Sequence, residues 1–197
     1  MIPTKIALLT DSSADLRWEE ARENNIFFVP LRILCQDGEY LDGVDIRGQD
    51  IYRRLRSGEL PQTSLPRVED FSAKLHEIFD LGYDGVIAVM LSSGLSGTYN
   101  LARIVAEECR EQGRAMVAFD SLSGSLGLGM TVLQLAEDIR NGMGWEELTE
   151  RRAADSKYLS VFHAGHAGVS AKGWPNRQGD SSGRHHAPDQ AGADLCR

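Results

Sequence analysis

The run Gly85-Val86-Ile87-Ala88-Val89-Met90-Leu91 is apolar throughout and is followed at once by hydroxyl residues and glycines. An uninterrupted apolar run of this length is typical of a parallel strand covered by helices on both faces. Residues 6–10 and 115–119 form similar runs, and residues 26–33 predict a fourth strand. The run therefore indicates a sheet of the α/β class.

Segments with the apolar spacing of helices lie between these strands. They are residues 18–23, 68–81, 98–112, 126–141 and 145–154. Strands that alternate with helices predict a three-layer α/β fold, in which a parallel sheet lies between two helical layers. We expect Asp45 to cap one more helix around residues 51–55, residues 38–43 to form turns, and residues 61–66 to form a loop.

The composition limits the classes of function. The chain has 197 residues and a net charge of −8, whereas nucleic-acid binding requires an excess of Lys and Arg. Its three cysteines are far apart, without metal-ligand spacing or a disulfide framework, which favours reduced thiols. No stretch approaches the roughly 20 apolar residues of a membrane span, and the start of the chain does not look like a signal peptide. We expect a cytoplasmic protein with no membrane span and no nucleic-acid partner.

The character of the chain changes after Phe162. The last 35 residues contain six glycines, two prolines and four of the five histidines, and they show no helical or strand period. Such a segment buries too little apolar surface to offset its ordering entropy, so we expect residues 163–197 to be disordered. The histidines (His163, His166, His185 and His186) lack supporting cysteines or carboxylates, so no metal site is predicted.

Hydroxyl side chains follow three of the predicted strands, as Ser12-Ser13, Ser92-Ser93 and Ser121, and a loop adds Thr63-Ser64. Ligands of open parallel sheets bind beyond the carboxyl ends of the strands. Hydroxyl donors that converge there could hold a carboxylate or phosphate, helped by expected helix N-termini at Ser13 and Thr98. Each hydroxyl alone is better explained as a helix cap, because Ser and Thr that follow strands usually have that role. Residues 92–98 differ, because two glycines among four hydroxyls bring the backbone close to a ligand.

A hydrolase is the main alternative that the residue types allow. Asp11, Asp42, Asp45 and Asp120 could supply its carboxylates, although capping explains the pair Asp42 and Asp45 well. A Ser–His mechanism has one histidine available in the folded part, His76, and the sequence places no serine beside it.

Five segments together resemble the DegV family, in the same order and with the same spacing. They are residues 10–16 (TDSSADL), 29–31 (VPL), 40–46 (YLDGVDI), 63–66 (TSLP) and 91–99 (LSSGLSGTY). The resemblance covers about residues 5–160. It implies a fatty-acid-binding protein that presents a long-chain acyl chain to a separate fatty acid kinase, with no catalytic residues, cofactor or metal of its own.

The resemblance also implies which residues bind the ligand. Thr63 and Ser93 would hydrogen-bond the fatty acid carboxylate, and the supporting hydroxyls would be Ser64, Ser92, Ser96, Ser12 and Ser13. Leu65 departs from the family pattern, since many relatives carry a polar residue there. The acyl chain would lie in a tunnel between this domain and a second one, while Tyr99 and Leu101 fit the core better than the tunnel wall.

The family fold continues into a second α/β domain, which here is missing or replaced by the tail. We expect residues 1–122 to form the N-terminal domain, 123–162 the helical start of the second domain, and 163–197 a tail foreign to the family. Reading the tail one nucleotide later permits a family-like continuation with a Lys-Gly-Gly-Arg-Ile loop, which predicts a frameshift near Phe162 that gene sequencing would test. Two other functions stay open: a phosphate-handling transferase or hydrolase that uses the Gly/Ser loop, and a non-functional truncated product.

Overall fold

The computed structural model describes residues 2–155, and the side chains of residues 2–150. The described chain contains seven strands and six α-helices. The strands are β1 (Ile6–Asp11), β2 (Ile26–Val29), β3 (Arg32–Cys35), β4 (Gly38–Leu41), β5 (Gln62–Ser64), β6 (Gly85–Met90) and β7 (Ala115–Asp120). The helices are α1 (Trp18–Glu23), α2 (Gly48–Arg56), α3 (Val68–Asp80), α4 (Thr98–Glu111), α5 (Leu126–Arg140) and α6 (Trp145–Asp155).

The main sheet is parallel, with the strand order β2-β1-β6-β7. Every residue of β1 and β6 is buried, because these two central strands are covered on both faces. Helices α3 and α4 bury Phe71, Leu75 and Val105 against one face. Helices α1, α5 and α6 cover the other face, where Leu128 and Leu148 are buried. The predicted three-layer α/β fold is therefore confirmed, and Tyr99 and Leu101 pack against the first core as expected.

A second, antiparallel sheet with the order β4-β3-β5 corrects two predictions. Residues 26–33 do not form one strand, because the chain leaves the parallel sheet at Pro30, which has no N–H for the ladder. The turn expected at residues 38–43 contains β4, and the loop expected at residues 61–66 contains β5. β5 is a short, fully exposed edge strand, so no buried face gave it a hydrophobic pattern.

Two expected helix caps are also wrong. Asp45 does not cap α2: its carboxylate accepts the backbone N–H of Leu41 at 3.0 Å, and Asp50 accepts the N–H of Arg47 at the start of the helix. Ser13 lies in a single 3-10 turn and does not start a helix, since α1 begins five residues later, at Trp18. That turn supplies no helix dipole for a ligand, whereas α4 does begin at Thr98 as predicted.

Helix α5 packs on the parallel sheet, because Leu128, Val132 and Leu135 are buried with Ile6 and Leu8 of β1 in one cluster. Leu148 of α6 belongs to the same cluster. The predicted tail at residues 163–197 lies outside the described residues. No helix between residues 2 and 155 is long and apolar enough to cross a membrane.

Candidate functional site

The hydroxyl-rich loops lie at the carboxyl ends of the parallel strands, as the sequence predicts. Residues 12–14 follow β1, residues 92–97 follow β6, and residues 121–125 follow β7. The loop after β5 meets them through Leu65, since a Cβ placed on Gly97 would lie 3.3 Å from Leu65 Cδ1. The side chain of Leu65, which departs from the family pattern, thus packs against Gly97 and fills the space that the missing Cβ leaves.

The loop after β6 is held by three consecutive backbone amides. The N–H of Leu91 donates to Asp11 Oδ2 at 2.7 Å, and the N–H of Ser92 donates to the carbonyl oxygen of Ser123 at 2.9 Å. The N–H of Ser93 donates to Asp120 Oδ1 at 3.1 Å. The loop is therefore fixed between the two loops that flank it. Sequence reasoning missed this role of Asp11 and Asp120, although each is the last residue of its strand.

The two residues predicted to contact the ligand directly have available hydroxyls. Thr63 and Ser93 are exposed, and so is the neighbouring Ser64. Within residues 2–150, none of these three side chains makes a hydrogen bond. Their O–H groups can thus donate to an incoming acceptor without breaking a bond inside the protein.

The supporting hydroxyls are mostly engaged in local structure. Ser12 Oγ accepts the N–H of Leu31 at 3.1 Å, and Ser13 Oγ donates to Asp11. Ser96 Oγ lies 2.8 Å from Thr98 Oγ1 and also accepts the N–H of Thr98. These hydrogen bonds stabilise the loops, although none of the three serines caps an α-helix.

Ser92 and Ser121 are likewise engaged. Ser92 Oγ accepts the N–H of Gly94 at 3.3 Å, which leaves its own proton available. Ser121 Oγ donates to the carbonyl oxygen of Ser123 at 2.9 Å and accepts the N–H of Ser123. Of the expected supporting residues, Ser64 alone is both exposed and without a side-chain hydrogen bond in the described part of the chain.

Several carboxyl groups lie close together at this edge of the sheet. Burial raises the pKa of Asp42, and the nearby carboxylates of Asp15 and Asp11 raise it further, while a hydrogen bond from Ser12 lowers it. Asp11 itself is fully buried and accepts backbone and hydroxyl protons only. These carboxylates accept hydrogen bonds that hold the loops in place, so a hydrolytic role is not needed to account for their presence.

The arginine closest to the β5 hydroxyls in sheet register is already paired. Arg32 lies opposite Ser64 in the β3–β5 ladder. Its guanidinium binds Glu39 and, at 2.7 Å, Asp70. The hydrogen bond with Arg32 holds the pKa of the Glu39 carboxyl below its usual range. Arg32 therefore stabilises the small sheet, and its guanidinium is already bound to two carboxylates.

Apolar side chains are exposed next to the hydroxyl loops. Leu95, Leu126 and Met130 are 74%, 68% and 55% exposed. Leu95 adjoins the loop after β7, since a Cβ on Gly124 would lie 3.7 Å from Leu95 Cδ1. We call Leu65, Leu95, Leu126 and Met130 the apolar rim. A cleft of about 730 Å³ lies elsewhere, along the edge strand β2, and is lined by neither Thr63 nor Ser93.

A cluster of Cys35, Asp37 and Glu59 has the ligand types of a metal site but lies in the small sheet region. The guanidinium of Arg54 occupies its acidic side, at 2.8 Å from Asp37 and 3.0 Å from Glu59. Burial raises the pKa of the Cys35 thiol, which favours the protonated form that binds metals poorly. Arg54 already neutralises this cluster.

Comparisons with known proteins connect this geometry to one family. The family model described as "Uncharacterised protein, DegV family" matches residues 5–163. A DegV domain-containing protein from Clostridium perfringens is 38% identical over 146 residues, which are 74% of this chain and 51% of that protein. The chain thus spans about half the length of the curated relatives that it matches.

Two solved structures share the fold. A DegV family protein from Thermus thermophilus, described by its fatty acid binding, is 30% identical with a TM-score of 0.69 and covers 80% of this chain and 54% of its own. DegV from Bacillus subtilis, described as a fatty acid binding protein, is also 30% identical with a TM-score of 0.69 and covers 78% and 54%. Both descriptions name a binding function.

Proposed function

Because this chain belongs to the DegV family, we propose that it binds a long-chain fatty acid and presents the carboxylate to a fatty acid kinase. The observation that carries the proposal is the pair of exposed, unengaged hydroxyls on Thr63 and Ser93. Thr63 lies in β5 and Ser93 in the loop after β6, and the two segments meet through Leu65 and Gly97. The protein acts in this proposal as a carrier, and the chemistry belongs to its partner.

The head group binds through neutral donors. The hydroxyls of Thr63 and Ser93 each donate one hydrogen bond to a carboxylate oxygen, while Ser64, the next residue of β5, points to the opposite face of the strand. Hydrogen bonds to an ionised acceptor are roughly twice as strong as those between neutral groups. The recognition of the acid therefore requires no buried cation in this half of the site.

The acyl chain lies along the apolar rim. Leu95, Leu126 and Met130 are exposed in the described chain, and covering them with an alkyl chain removes apolar surface from water. Each buried methylene group contributes roughly 0.8 kcal/mol, so a long chain binds much more tightly than a short one. The part of the family fold that lies beyond the matched half of the relatives would close the other side of this tunnel.

Presentation to a kinase is compatible with where the hydroxyls lie. Thr63, Ser64 and Ser93 are at the protein surface, so a carboxylate bound there stays accessible to a second protein. An acid buried in a closed cavity would have to leave before it could be phosphorylated. The kinase itself is expected from the family resemblance.

The phosphate-binding alternative is disfavoured by the loop after β6. Phosphate sites in Gly-rich loops use backbone N–H groups as donors. Here the amides of Leu91, Ser92 and Ser93 all donate to protein acceptors. The loop therefore offers a hydroxyl instead of a cradle of free amides.

A thermal-shift experiment separates the two functions. Palmitate should raise the melting temperature of the intact chain, whereas octanoate should have a smaller effect because it buries fewer methylene groups. Glucose 6-phosphate and ATP should have none. A shift with the phosphate compounds and none with palmitate would replace the fatty acid proposal by the phosphate alternative.

A further inference from the structure

The side chain of Asp120 performs two tasks at the carboxyl end of β7. Its Oδ1 atom accepts the N–H of Ser93 at 3.1 Å and the N–H of Leu122 at 2.9 Å. Leu122 has a φ of 51°, a left-handed conformation that is unfavourable for a leucine. Asp120 thus stabilises a strained turn in its own loop and holds the next loop against it.

The side chain of Asp11 does the equivalent work from the other side. It is fully buried at the end of β1 and divides its two oxygens between two loops. Oδ1 accepts the N–H of Ser13 at 3.0 Å and also the Ser13 hydroxyl proton, and Oδ2 accepts the N–H of Leu91 at 2.7 Å. A buried carboxylate is costly unless it is satisfied in this way.

The carboxylate of Asp11 therefore binds the first amide of the segment 91–93, and that of Asp120 binds the last. Between them, the N–H of Ser92 donates to the carbonyl oxygen of Ser123. Charge-assisted hydrogen bonds of this kind are the stronger class. The hydroxyl of Ser93 makes no hydrogen bond to the side chains or backbone of residues 2–150, and the backbone that carries it is fixed by these partners.

We infer that Asp11 and Asp120 are positioning residues for the fatty acid site, which hold the Ser93 hydroxyl in place by binding the amides of Leu91 and Ser93. This inference rests on the proposed function. Neither carboxylate contacts the ligand. They favour binding by ordering the loop in advance, because an ordered loop loses less conformational entropy on binding the ligand than a flexible loop does.

The test combines hydrogen exchange with ligand binding in the intact chain. Asp120→Ala should speed amide exchange at residues 91–93 and weaken binding of the fluorescent fatty acid cis-parinaric acid by roughly tenfold. Asp120→Asn keeps one acceptor oxygen and should fall between Asp120→Ala and wild type. Asp80→Asn is the matched control, since Asp80 is exposed at the end of α3, away from these loops.

Asp11 is tested by Asp11→Asn, with Ser13→Ala as its control. Asp11→Asn puts an amide NH₂ against one of the two loops and should loosen residues 91–93. Ser13→Ala removes only the Ser13 hydroxyl and leaves the bond to Leu91, so exchange at residues 91–93 should stay as in wild type.

The possible outcomes separate this inference from the proposed function. Unchanged exchange in Asp120→Ala, or faster exchange with unchanged affinity, would overturn the positioning role while wild type still binds the lipid. A wild-type chain that binds no cis-parinaric acid would instead overturn the proposed function and the inference that rests on it. Faster exchange with weaker binding, and an intermediate Asn variant, would support both.

Discussion

Asp11 Oδ2 accepts the backbone N–H of Leu91 at 2.7 Å, a bond that joins residues 80 positions apart. It connects the end of β1 to the end of β6, so the loops after the two central strands are held as one unit. The candidate ligand residue Ser93 lies two positions beyond this bond. This bond therefore ties the end of β1 to the loop that carries the proposed ligand residue Ser93.

The contact between α5 and the turn after β1 predicts a sharp difference between two glycine substitutions. A Cβ on Gly129 would lie 2.4 Å from the carbonyl oxygen of Ala14, whereas a Cβ on Gly144 would meet nothing within 4 Å. Gly129→Ala should destabilise the fold by about 1–3 kcal/mol, and Gly144→Ala by much less. Urea unfolding measures both. Equal stabilities would mean that α5 does not pack against the turn.

The partly buried carboxyl of Asp42 predicts that its replacement by Asn stabilises the fold. Burial and the carboxylates of Asp15 and Asp11 raise its pKa, so its ionised form costs folding free energy. This cost is absent below the unfolded-state pKa and grows as pH rises through the folded-state pKa. Asp42→Asn should thus be more stable than wild type at pH 7, with the advantage lost near pH 3. A less stable variant at pH 7 would contradict this, and chemical denaturation at both pH values measures it.

The lowered pKa of Asp84 predicts that stability depends on pH in the opposite direction. Burial opposes its ionisation, but hydrogen bonds from the N–H groups of Lys5 and Thr4 and from the Thr4 hydroxyl lower its pKa overall. The stability that it contributes is present above its unfolded-state pKa and is lost as pH falls through its lower folded-state pKa. Asp84→Asn should be less stable at pH 7 and lose less stability between pH 5 and 3, as estimated from the carboxyl range. The control is Asp80→Asn, and identical pH profiles for wild type and Asp84→Asn would exclude this role.

Much of the fold was predictable because its elements are buried in regular patterns. The apolar run ending at Leu91 forms β6, and the spacing of Phe71, Leu75 and Ile78 gives α3 its buried face. The small sheet was not predictable in the same way. Thr63 lies in an exposed strand of three residues, which leaves no hydrophobic period to detect.

The candidate site was predictable in part. The sequence predicted that hydroxyl-bearing loops follow the parallel strands, and the structure has them there, but the hydrogen bonds of each hydroxyl depend on distant partners. The sequence does not show that Ser12 accepts the N–H of Leu31 while the Ser93 hydroxyl makes no hydrogen bond in the described part of the chain. The partners of Asp11 and Asp120 lie in other loops, so their positioning role emerges only with the tertiary structure.

A titration of the intact chain with cis-parinaric acid examines the proposed head-group site most directly. Thr63→Val and Ser93→Ala each remove one hydroxyl at an exposed position and should weaken binding by roughly tenfold, given about 1.5 kcal/mol for a hydrogen bond to a charged group. Ser72→Ala removes a hydroxyl that donates within α3, away from the loops, and should bind as wild type does. If wild type, Thr63→Val and Ser93→Ala all bind with the same affinity, the fatty acid carboxylate is not held by these hydroxyls.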